Sequence, residues 1–386
     1  MLVNPKLTTF LRKLGRWLAL GAAVALVFSP EMAVWFPSLS PHIAFGGALA
    51  AKTVSVVTLV GLPVLVLVLI WPRWFCHHAC PTGFLQDLLS RRKAAAWHRW
   101  PPIGKWLLVV TLGGATLGYP VFLWLDPLAI FNGFLNAAWH KPVTLVAGVL
   151  LPAVLVFNFF LPKVWCQRIC PLGAFQELLA LARRHKRMPL PVAHERRLAR
   201  RAFIGVCAGA AGAALVRTAD GRSAPPLRPP GAAPENEFTG VCVRCGNCGA
   251  VCPARIIRQD LRSVAGFLAP VLKYDADYCR ESCNRCGQVC PSGAIARLSV
   301  PEKRDRLIGV AKIDLDTCAM ANGQECTACI RACPFEALIV VGSEDSASSQ
   351  PRLLSSKCNG CGACECVCPV WPKVAIRVIP LKGERT

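Results

Sequence analysis

Sixteen of the 22 cysteines fall in four short motifs between residues 242 and 368, and each motif ends in Cys-Pro. The motifs are Cys242, Cys245, Cys248, Cys252; Cys279, Cys283, Cys286, Cys290; Cys318, Cys326, Cys329, Cys333; and Cys358, Cys361, Cys364, Cys368. The first and fourth have the spacing C-x2-C-x2-C-x3-C-P, and the other two have a longer first gap. With this spacing three thiolates on a tight loop bind one [4Fe–4S] cluster, and the fourth reaches the other cluster of a pair. The motifs predict four [4Fe–4S] clusters.

Zinc is the alternative ligand for clustered cysteines. A zinc site closes with four ligands, usually from two separate C-x2-C pairs, whereas here triplets are followed by Cys-Pro. Glycines beside the motifs, such as Gly246 and Gly360, allow backbone N–H groups to approach sulfides and tune a reduction potential. The triplet pattern therefore favours clusters, and Cys366, between two predicted ligands, is interpreted as a spare thiol.

Four further cysteines belong to an internal repeat. WFCHHACPTGFLQDLL, which begins at Trp74, recurs as VWCQRICPLGAFQELL, which begins at Val164. The predicted ligands in the two copies are Cys76, Cys80, Cys166 and Cys170. Four thiols on one side of a membrane suffice for a metal site or one further iron–sulfur cluster; reduced cysteines or a redox-active thiol pair are the alternatives.

Long apolar segments precede the four motifs. Four are long enough to cross a bilayer, which needs ~20 residues: they run from Trp17 to Trp35, Thr53 to Pro72, Trp106 to Leu125 and Val143 to Leu161. The first contains Pro30 and Glu31, and the other three carry no charge. These segments predict a four-helix membrane domain over residues 1–188.

Basic residues are concentrated on one side of this predicted bundle. Residues 1–235 contain 25 of the 44 Lys and Arg but 7 of the 22 Asp and Glu. The positive charges precede the first segment, lie between the second and third, and follow the fourth, so by the positive-inside rule these regions face the cytoplasm. Because the charges flank apolar segments, nucleic acid is not expected as a partner.

Residues 189–239 are predicted to connect the two domains. Arg200-Arg201 precedes a weakly apolar segment, Ala202 to Val216, and resembles a twin-arginine transport signal. The Pro/Gly-rich stretch after it is expected to be extended or disordered. This signal would export a folded domain of residues 240–386 to the periplasm. No cleavable secretory signal is expected at the N-terminus.

Several polar residues near the repeat are candidates for proton chemistry. His77 and His78 lie between Cys76 and Cys80, and are interpreted either as ligands or quinone-linked groups, or as interfacial polar residues. Asp126, with Glu31, is a candidate for protons of a quinone head group, because carboxylates at membrane depth are often functional. Asp126 is alternatively a cap for the following helix.

The motifs resemble two families. Residues 240–386 resemble the NapG/MauM group of four-cluster ferredoxins, and CHHACPTG and CQRICPLG resemble the NapH/MauN group of polytopic iron–sulfur proteins. The resemblance implies a fusion of an α-helical membrane bundle, four helices plus a fifth signal-anchor-like helix, with an α+β bacterial-ferredoxin-like polyferredoxin domain. NapH proteins usually carry their own ferredoxin tail at the end of the bundle, and none occurs here.

The resemblance also implies how the motifs pair. In related four-cluster folds, motif one pairs with motif four and motif two with motif three. Carried over, the first three cysteines of motif one would share a cluster with Cys368, and those of motif four would use Cys252. Likewise motif two would use Cys333, and motif three would use Cys290.

The resemblance implies electron transfer in the bacterial inner membrane. Electrons from quinol, in the membrane quinone pool, would pass through the clusters to a periplasmic reductase or cytochrome. An accessory factor that reduces a metal or cofactor during maturation of another enzyme, as the MauM/MauN relatives suggest, is the alternative, and a membrane redox sensor is a third possibility. No catalytic acid–base residues are expected.

Overall fold

The structure, a computed structural model, describes residues 5–52, 56–90, 100–139, 147–187, 192–220, 225–261, 266–342 and 349–381. Helices dominate up to residue 220. These helices are α1 (Pro5–Phe28), α2 (Trp35–Ser38), α3 (Pro41–Ala51), α4 (Val56–Leu59), α5 (Leu62–Ile70), α6 (Trp74–His78), α7 (Pro81–Leu89), α8 (Ile103–Thr116), α9 (Pro127–Trp139), α10 (Leu150–Phe160), α11 (Pro171–Arg187) and α12 (Val192–Asp220). Two 3₁₀ turns (Leu123–Leu125 and Ala147–Val149) and a π-helical turn (Trp165–Ile169) complete this part.

The cysteine-rich part consists of short helices and short strands that are joined by loops. Its helices are α13 (Glu235–Val241), α14 (Asn247–Ala250), α15 (Arg285–Gln288), α16 (Val300–Asp305), α17 (Ala328–Ala332) and α18 (Ala363–Cys366). Its strands are β1 (Ile257–Gln259), β2 (Pro270–Leu272), β3 (Val310–Ile313), β4 (Leu338–Gly342), β5 (Ser349–Leu353) and β6 (Ile376–Ile379). Three antiparallel pairs form, β1–β2, β3–β6 and β4–β5, with Arg258 opposite Val271 and Ala311 opposite Val378.

The apolar segments expected to span a bilayer form shorter helices than the sequence predicts. The second is interrupted at Gly61, which directly precedes α5, and Pro63 is the second residue of that helix. The third ends at Thr116, because Gly118 takes a left-handed conformation and Pro120 follows. Within the described residues, one helical stretch is long and apolar enough by itself to cross a membrane, Ala199–Val216 in α12.

Helix α12 packs along α8 through glycines. A Cβ at Gly209 would lie 2.1 Å from the carbonyl oxygen of Val110, and one at Gly113 would lie 2.3 Å from that of Val206. Gly205 and Gly209 are four residues apart, which is the spacing that lets membrane helices approach backbone to backbone. The segment after the arginine pair is thus an integral helix of the bundle.

A second internal repeat places two short helices inside the bundle. FPSLSPHIAFGGAL, which begins at Phe36, aligns with FLWLDPLAIFNGFL, which begins at Phe122. Both copies contain a helix with Pro at its first position, α3 after Ser40 and α9 after Asp126. The bundle is therefore built from two copies of one larger unit: a short helix, an apolar helix, a Cys-x3-Cys turn and a following helix.

The cysteine-rich part packs directly on the bundle. Val34 shares a buried cluster with Val251 and Val289. The Thr239 hydroxyl donates to the phenol oxygen of Tyr119 over 3.1 Å, and the guanidinium of Arg244 lies 5.0 Å from the ring of Trp124.

The connecting segment is shorter than predicted. Residues 225–239 are packed rather than extended or disordered, because the buried Arg228 donates to the carboxylate of Glu235 over 2.9 Å and to the Pro270 carbonyl over 2.8 Å. Arg228 thereby fixes the Pro-rich stretch to β2. Residues 221–224, which belong to the predicted linker, lie outside the described residues.

Candidate functional site

The four cysteines of the bundle repeat come together. Cys80 and Cys170 belong to one buried cluster, and Cys166 packs against it. Cys76 is close enough to the other three to interact with them electrostatically. We call these four residues the bundle quartet. Each copy contributes one cysteine from a short helical turn and one at the start of the next helix, because Cys80 caps α7 and Cys170 precedes Pro171 of α11.

Hydrogen-bond donors surround the sulfur atoms of the quartet. The backbone N–H of Gly83 lies 3.4 Å from Cys80 Sγ, and that of Gly173 lies 3.4 Å from Cys170 Sγ. The Gln176 side-chain amide donates to Cys76 Sγ over 3.2 Å. Such donors stabilise negative charge on thiolate sulfur, and the quartet is therefore suited to an anionic metal group.

Gln86 occupies the position in the first copy that Gln176 occupies in the second, and it contacts Cys166. Gln86 Oε1 lies 3.1 Å from Cys166 Sγ, and its Nε2 has no hydrogen-bond partner within the described residues. Rotating this amide by 180° would place the donor on the sulfur, as in the other copy, and would suit a deprotonated Cys166. Each copy therefore places its glutamine on a cysteine of the other copy.

Ion pairs also cross between the copies. Arg73 and Lys163, at equivalent positions, both adopt left-handed backbone conformations. Arg73 pairs with Glu177, and Lys163 pairs with Asp87 over 2.7 Å. These ion pairs lie beside the quartet glutamines, and they connect the two Cys-x3-Cys turns.

The two short helices meet at a buried polar group. The Ser40 hydroxyl, which caps α3, donates to Asp126 Oδ2 over 2.6 Å. Asp126 also accepts from the Leu128 N–H over 2.9 Å, as predicted for a helix cap, and lies 3.3 Å from His42 Nδ1. All three side chains are buried. This group is close enough to Cys76 and Cys80 for electrostatic interaction and locks the beginnings of α3 and α9 together.

The other polar candidates lie elsewhere. Glu31 is exposed and is not grouped with Asp126. His78 stacks on Trp74, with ring centroids 5.3 Å apart, and its Nδ1 lies 3.0 Å from the carbonyl oxygen of that residue. His77 is exposed. His78 is therefore held by Trp74 rather than directed into the quartet.

The sixteen cysteines of the C-terminal part form four sets. Three line separate pockets, and the fourth is defined by proximity. Set I is Cys242, Cys245, Cys248, Cys290; set II is Cys279, Cys283, Cys286, Cys252; set III is Cys318, Cys326, Cys329, Cys368; set IV is Cys358, Cys361, Cys364, Cys333.

The pairing of motifs implied by the resemblance is wrong. Motif one exchanges its fourth cysteine with motif two, and motif three with motif four. Cys290, not Cys368, lies with set I, and Cys368 lies with set III. The reason is local: the hairpin β1–β2 folds motif two back onto motif one, and β3–β6 encloses motifs three and four. Each half thus divides its eight cysteines into two sets, as a ferredoxin that binds two clusters does.

The sets lie in the spatial order I, II, IV, III. Cys286 of set II is near Cys248 of set I, and Cys329 of set III is near Cys364 of set IV. The two halves meet where the Cys279 N–H donates to the Cys361 carbonyl over 2.9 Å. The order along the molecule therefore differs from the order along the chain.

Tyr274 fills the junction between the two halves. Its hydroxyl donates to the Gly360 carbonyl over 2.9 Å, and a Cβ at Gly362 would lie 2.3 Å from its ring. Gly362 has φ +87°. No other residue type suits that position, since a side chain would be strained and would collide with the ring.

The thiols of the four sets fit metal binding but need iron to ionise. Burial raises the pKa of Cys329 and of Cys361 to about 11. Nearby thiols contribute to this rise in pKa after burial, and in Cys361 a hydrogen bond from the Ala363 N–H opposes it. At neutral pH these groups are thiols, and metal binding would displace their protons.

The shape of the sets distinguishes a cluster from a single ion. Zinc holds thiolate sulfur at about 2.3 Å from one point. Among the residues that the structure describes, no three His, Cys, Asp or Glu side chains converge closely enough to hold one metal ion. The cysteines instead surround a space, and backbone N–H groups of Ile295 and Ala337 lie 3.4 Å from Cys290 Sγ and Cys333 Sγ. This arrangement fits a cluster of several irons.

Two kinds of functional residue were missed by the sequence reasoning. Gln86 and Gln176 occupy matching positions of the repeat, but the sequence alone predicted no role for them. Asn132 and Asn136, which contact set I, were not noticed. The sequence feature that could have identified them is the second repeat, in which Asn132 and Asn136 align with Gly46 and Ala50.

Family profiles match both parts of the chain. A 4Fe-4S binding domain matches residues 53–100 and again 143–189, which are the two copies that supply the bundle quartet. A 4Fe-4S dicluster domain matches residues 241–294, which contain motifs one and two. The prediction of iron–sulfur clusters is confirmed. No solved structure matches the chain significantly.

Curated relatives match less than half of the chain but most of their own length. The methylamine utilization ferredoxin-type protein MauM of Methylophilus methylotrophus is 35% identical over 175 residues, 44% of this chain and 77% of that protein. The ferredoxin-type protein NapG of Escherichia coli K12 is 37% identical over 173 residues, 41% of this chain and 73% of that protein. The ferredoxin-type protein NapF of the same organism is 31% identical over 144 residues, 37% of this chain and 80% of that protein. The chain belongs to the family of ferredoxin-type iron–sulfur electron-transfer proteins that includes MauM and NapG.

Proposed function

We propose that this protein is anchored in the bacterial inner membrane, accepts electrons from quinol at its helical bundle and delivers them to a redox partner in the periplasm. The bundle would be the NapH/MauN-like half of a fusion. Sets I to IV would each hold a [4Fe–4S] cluster, and the bundle quartet would hold one more. A [4Fe–4S] cluster, when bound, accepts and releases one electron at a time.

The observation that carries this proposal is the continuous packing from the bundle quartet to set III. The short helices α3 and α9 begin beside the quartet at Ser40 and Asp126. They reach the cysteine-rich part farther along, where Gly47 approaches the Ser292 carbonyl and Asn136 donates to the Cys245 carbonyl. Set I is therefore the first set of the C-terminal part that an electron leaving the bundle would meet.

The residues around each set have a passive role in this function. They exclude water, hold the sulfurs at fixed positions and supply N–H donors such as those of Ile295 and Ala337. Electron transfer needs proximity and suitable potentials rather than acid–base catalysis. The proposal assigns no catalytic residue for this reason.

The surface of the bundle supports contact with lipid and with an apolar donor. Large apolar side chains are exposed on helices of both copies, among them Val66 and Leu69 on α5 and Val156, Phe159 and Phe160 on α10. Exposed apolar side chains in this number favour a bilayer around the bundle. Quinol is the membrane-soluble donor that would reach the quartet there, and its oxidation yields two electrons and two protons.

The far end of the molecule supports delivery to another protein. Trp371 follows Cys368 of set III by three residues and is 87% exposed. In the spatial order of sets I, II, IV and III, set I lies against the bundle and Trp371 lies beside set III, at the other end. We place the docking site of the periplasmic partner, a reductase or cytochrome, at this end.

A single-turnover experiment tests the proposed function. The protein is purified in detergent without oxygen, its iron is counted, and it is mixed with a reduced short-chain quinol. The proposal requires ~20 Fe per chain, four for each of five clusters, and bleaching of visible absorbance by the quinol. The matched variant Cys166→Ala must slow the bleaching strongly. Equal rates in both proteins would overturn electron intake at the bundle.

The location of the C-terminal part is tested separately. In spheroplasts, a protease that cannot cross the membrane must cleave an epitope placed after residue 381, and must spare an epitope placed between residues 91 and 99. Protection of the first epitope and cleavage of the second would reverse the orientation and overturn the periplasmic assignment.

A further inference from the structure

Three buried asparagines join the bundle to set I. Asn132 Nδ2 and Asn136 Nδ2 on α9 each donate to the Cys245 carbonyl over 3.0 Å. The same two nitrogens lie 2.6 Å and 2.8 Å from Asn247 Oδ1. Asn247 in turn donates to the Val289 carbonyl over 3.3 Å, next to Cys290. The side chains of the three are buried, so this junction is closed to bulk water.

The side-chain hydrogen bonds of Asn132 and Asn136 all go to the set I loop, at the Cys245 carbonyl and Asn247 Oδ1. The two asparagines are four residues apart and therefore lie on one face of the helix. Their Oδ1 atoms have no hydrogen-bond partner within the described residues, so each amide is committed through its N–H donors to the set I loop. Buried polar atoms without partners are costly, and their retention at two positions needs an explanation.

The internal repeat shows that the asparagines depart from the symmetry of the bundle. Gly46 and Ala50 stand at the equivalent positions in α3, although the neighbouring Phe45 and Gly47 match their counterparts in α9. Both helices pack against set I, α3 through Ile43 and Ala50, but only the α9 copy carries amides at these positions. The difference between the copies therefore coincides with the hydrogen bonds that the two asparagines donate to the Cys245 carbonyl.

We propose that Asn132 and Asn136 are positioning residues that make set I the first electron acceptor outside the bundle, and that they raise the reduction potential of the group bound there. This inference rests on the proposed function for the source of the electrons. Their effect on the potential does not depend on that source.

The direction of the effect follows from the orientation of the amides. The positive ends of both amide dipoles point at the carbonyl of a ligand residue, Cys245. The reduced state of a cluster is the more negative one, and donors aimed at its surroundings stabilise that state and raise the potential. In a buried junction no water replaces a lost donor, so its removal lowers the potential.

The test is a redox titration followed by EPR on the anaerobically purified full chain. The signal of set I is first assigned by its loss in Cys242→Ala. Asn132→Leu and Asn136→Leu are expected to shift that signal to lower potential and to leave the signals of sets II to IV in place. They are also expected to slow electron transfer from the bundle to set I after mixing with the quinol. Unchanged potential of set I, with the iron content retained, would overturn the inference.

Asn136→Asp provides a variant of equal volume. It replaces a donor by an acceptor, and it too must lower the potential of set I. If the leucine variants lose iron, this variant decides the question, because its packing is unchanged. A potential equal to or above that of the unaltered protein would count against the proposal.

Asn322 supplies the matched control. Its Nδ2 donates to the Cys318 carbonyl of set III over 2.9 Å, but its side chain is exposed. Asn322→Leu must leave the potential of set I unchanged. If quinol reduces the unaltered protein while the asparagine variants titrate normally, the proposed function stands and this inference fails.

Discussion

The side-chain amide of Gln176 donates a hydrogen bond to Cys76 Sγ across the boundary between the two copies of the bundle repeat, over 3.2 Å. Gln86 has the corresponding position on Cys166. A glutamine of each copy therefore contacts a cysteine of the other copy. The two halves of the quartet are connected through these side chains as well as through any bound group.

Removing this donor is expected to lower the potential of the bundle quartet. In Gln176→Leu, the sulfur of Cys76 loses a hydrogen bond that favours the more negative state, and a bond of about 1 kcal/mol corresponds to ~40 mV for a one-electron couple. An EPR redox titration measures the shift. The control is Gln324→Leu, in the set III loop, which must leave the quartet signal where it was; an equal shift in both variants would contradict this role.

The pairing of motifs predicts which cluster each fourth cysteine holds. Cys290→Ala should abolish the signal of set I, and Cys368→Ala should abolish that of set III, because these cysteines line those pockets. Signals are assigned beforehand with Cys242→Ala and Cys318→Ala. Iron analysis should show a loss of at most one cluster in each variant. Loss of set I in Cys368→Ala would instead restore the pairing of motif one with motif four.

Asp126 is expected to be essential for the stability of the bundle. Asp126→Ala removes the acceptor for the Ser40 hydroxyl, 2.6 Å away, and for the Leu128 N–H. Each buried donor left unpaired costs about 1–3 kcal/mol. Thermal unfolding in detergent should show a clear decrease, whereas the exposed Glu31→Ala should change stability by less than about 0.5 kcal/mol. Similar unfolding of both variants would contradict the buried cap.

The contact between α8 and α12 is tested by two glycines of the same helix. In Gly209→Ala the new Cβ would lie 2.1 Å from the Val110 carbonyl oxygen, whereas a Cβ at Gly212 would meet no atom within 4 Å. Overpacking is expected to cost about 1–3 kcal/mol, and Gly212→Ala should be neutral or stabilising. Limited proteolysis measures whether α12 has separated from α8, because a separated helix is cleaved faster. A stable Gly209→Ala protein would show that α12 does not lie against α8.

Loading with iron should release protons. The pKa of Cys329 and of Cys361 is about 11, chiefly because of burial, so the thiol form is favoured near pH 8. A raised pKa means that iron has to displace a proton, and that loading becomes less favourable as the pH falls. A pH indicator during anaerobic reconstitution should record about one proton less for Cys329→Ala, and proton release should decrease as the starting pH approaches 11. A release that does not depend on pH would contradict these pKa values.

The spacing of the cysteines was sufficient to predict three members of each set, because those three lie within one short loop. The partner of Cys290 was not predictable in this way, since it depends on the hairpin β1–β2, which brings together residues distant in sequence. The family resemblance supplied a pairing in its place, and that pairing was wrong.

The helices of the bundle show a second limit of prediction from the sequence. Apolar length predicted the segments, but Gly61 and Gly118 end or interrupt the helices, and hydrophobicity does not register such positions. The repeat around Cys76 is predictable because both copies keep the same Cys-x3-Cys-Pro pattern at an offset of 90 residues. The repeat of α3 and α9 lies at a different offset, 86 residues, and was not predicted, and neither was a role for Asn132 and Asn136.

The crossed contacts of the bundle have a consequence for any shorter version of it. A polypeptide with one copy alone would carry two cysteines and a glutamine with no sulfur to bind. It would complete the quartet only as an isologous dimer, in which Arg73 of one subunit met the carboxylate position of the other. Fusion of both copies in one chain makes the site independent of protein concentration, and it allows the two copies to differ in sequence, as α9 differs from α3 at Asn132 and Asn136.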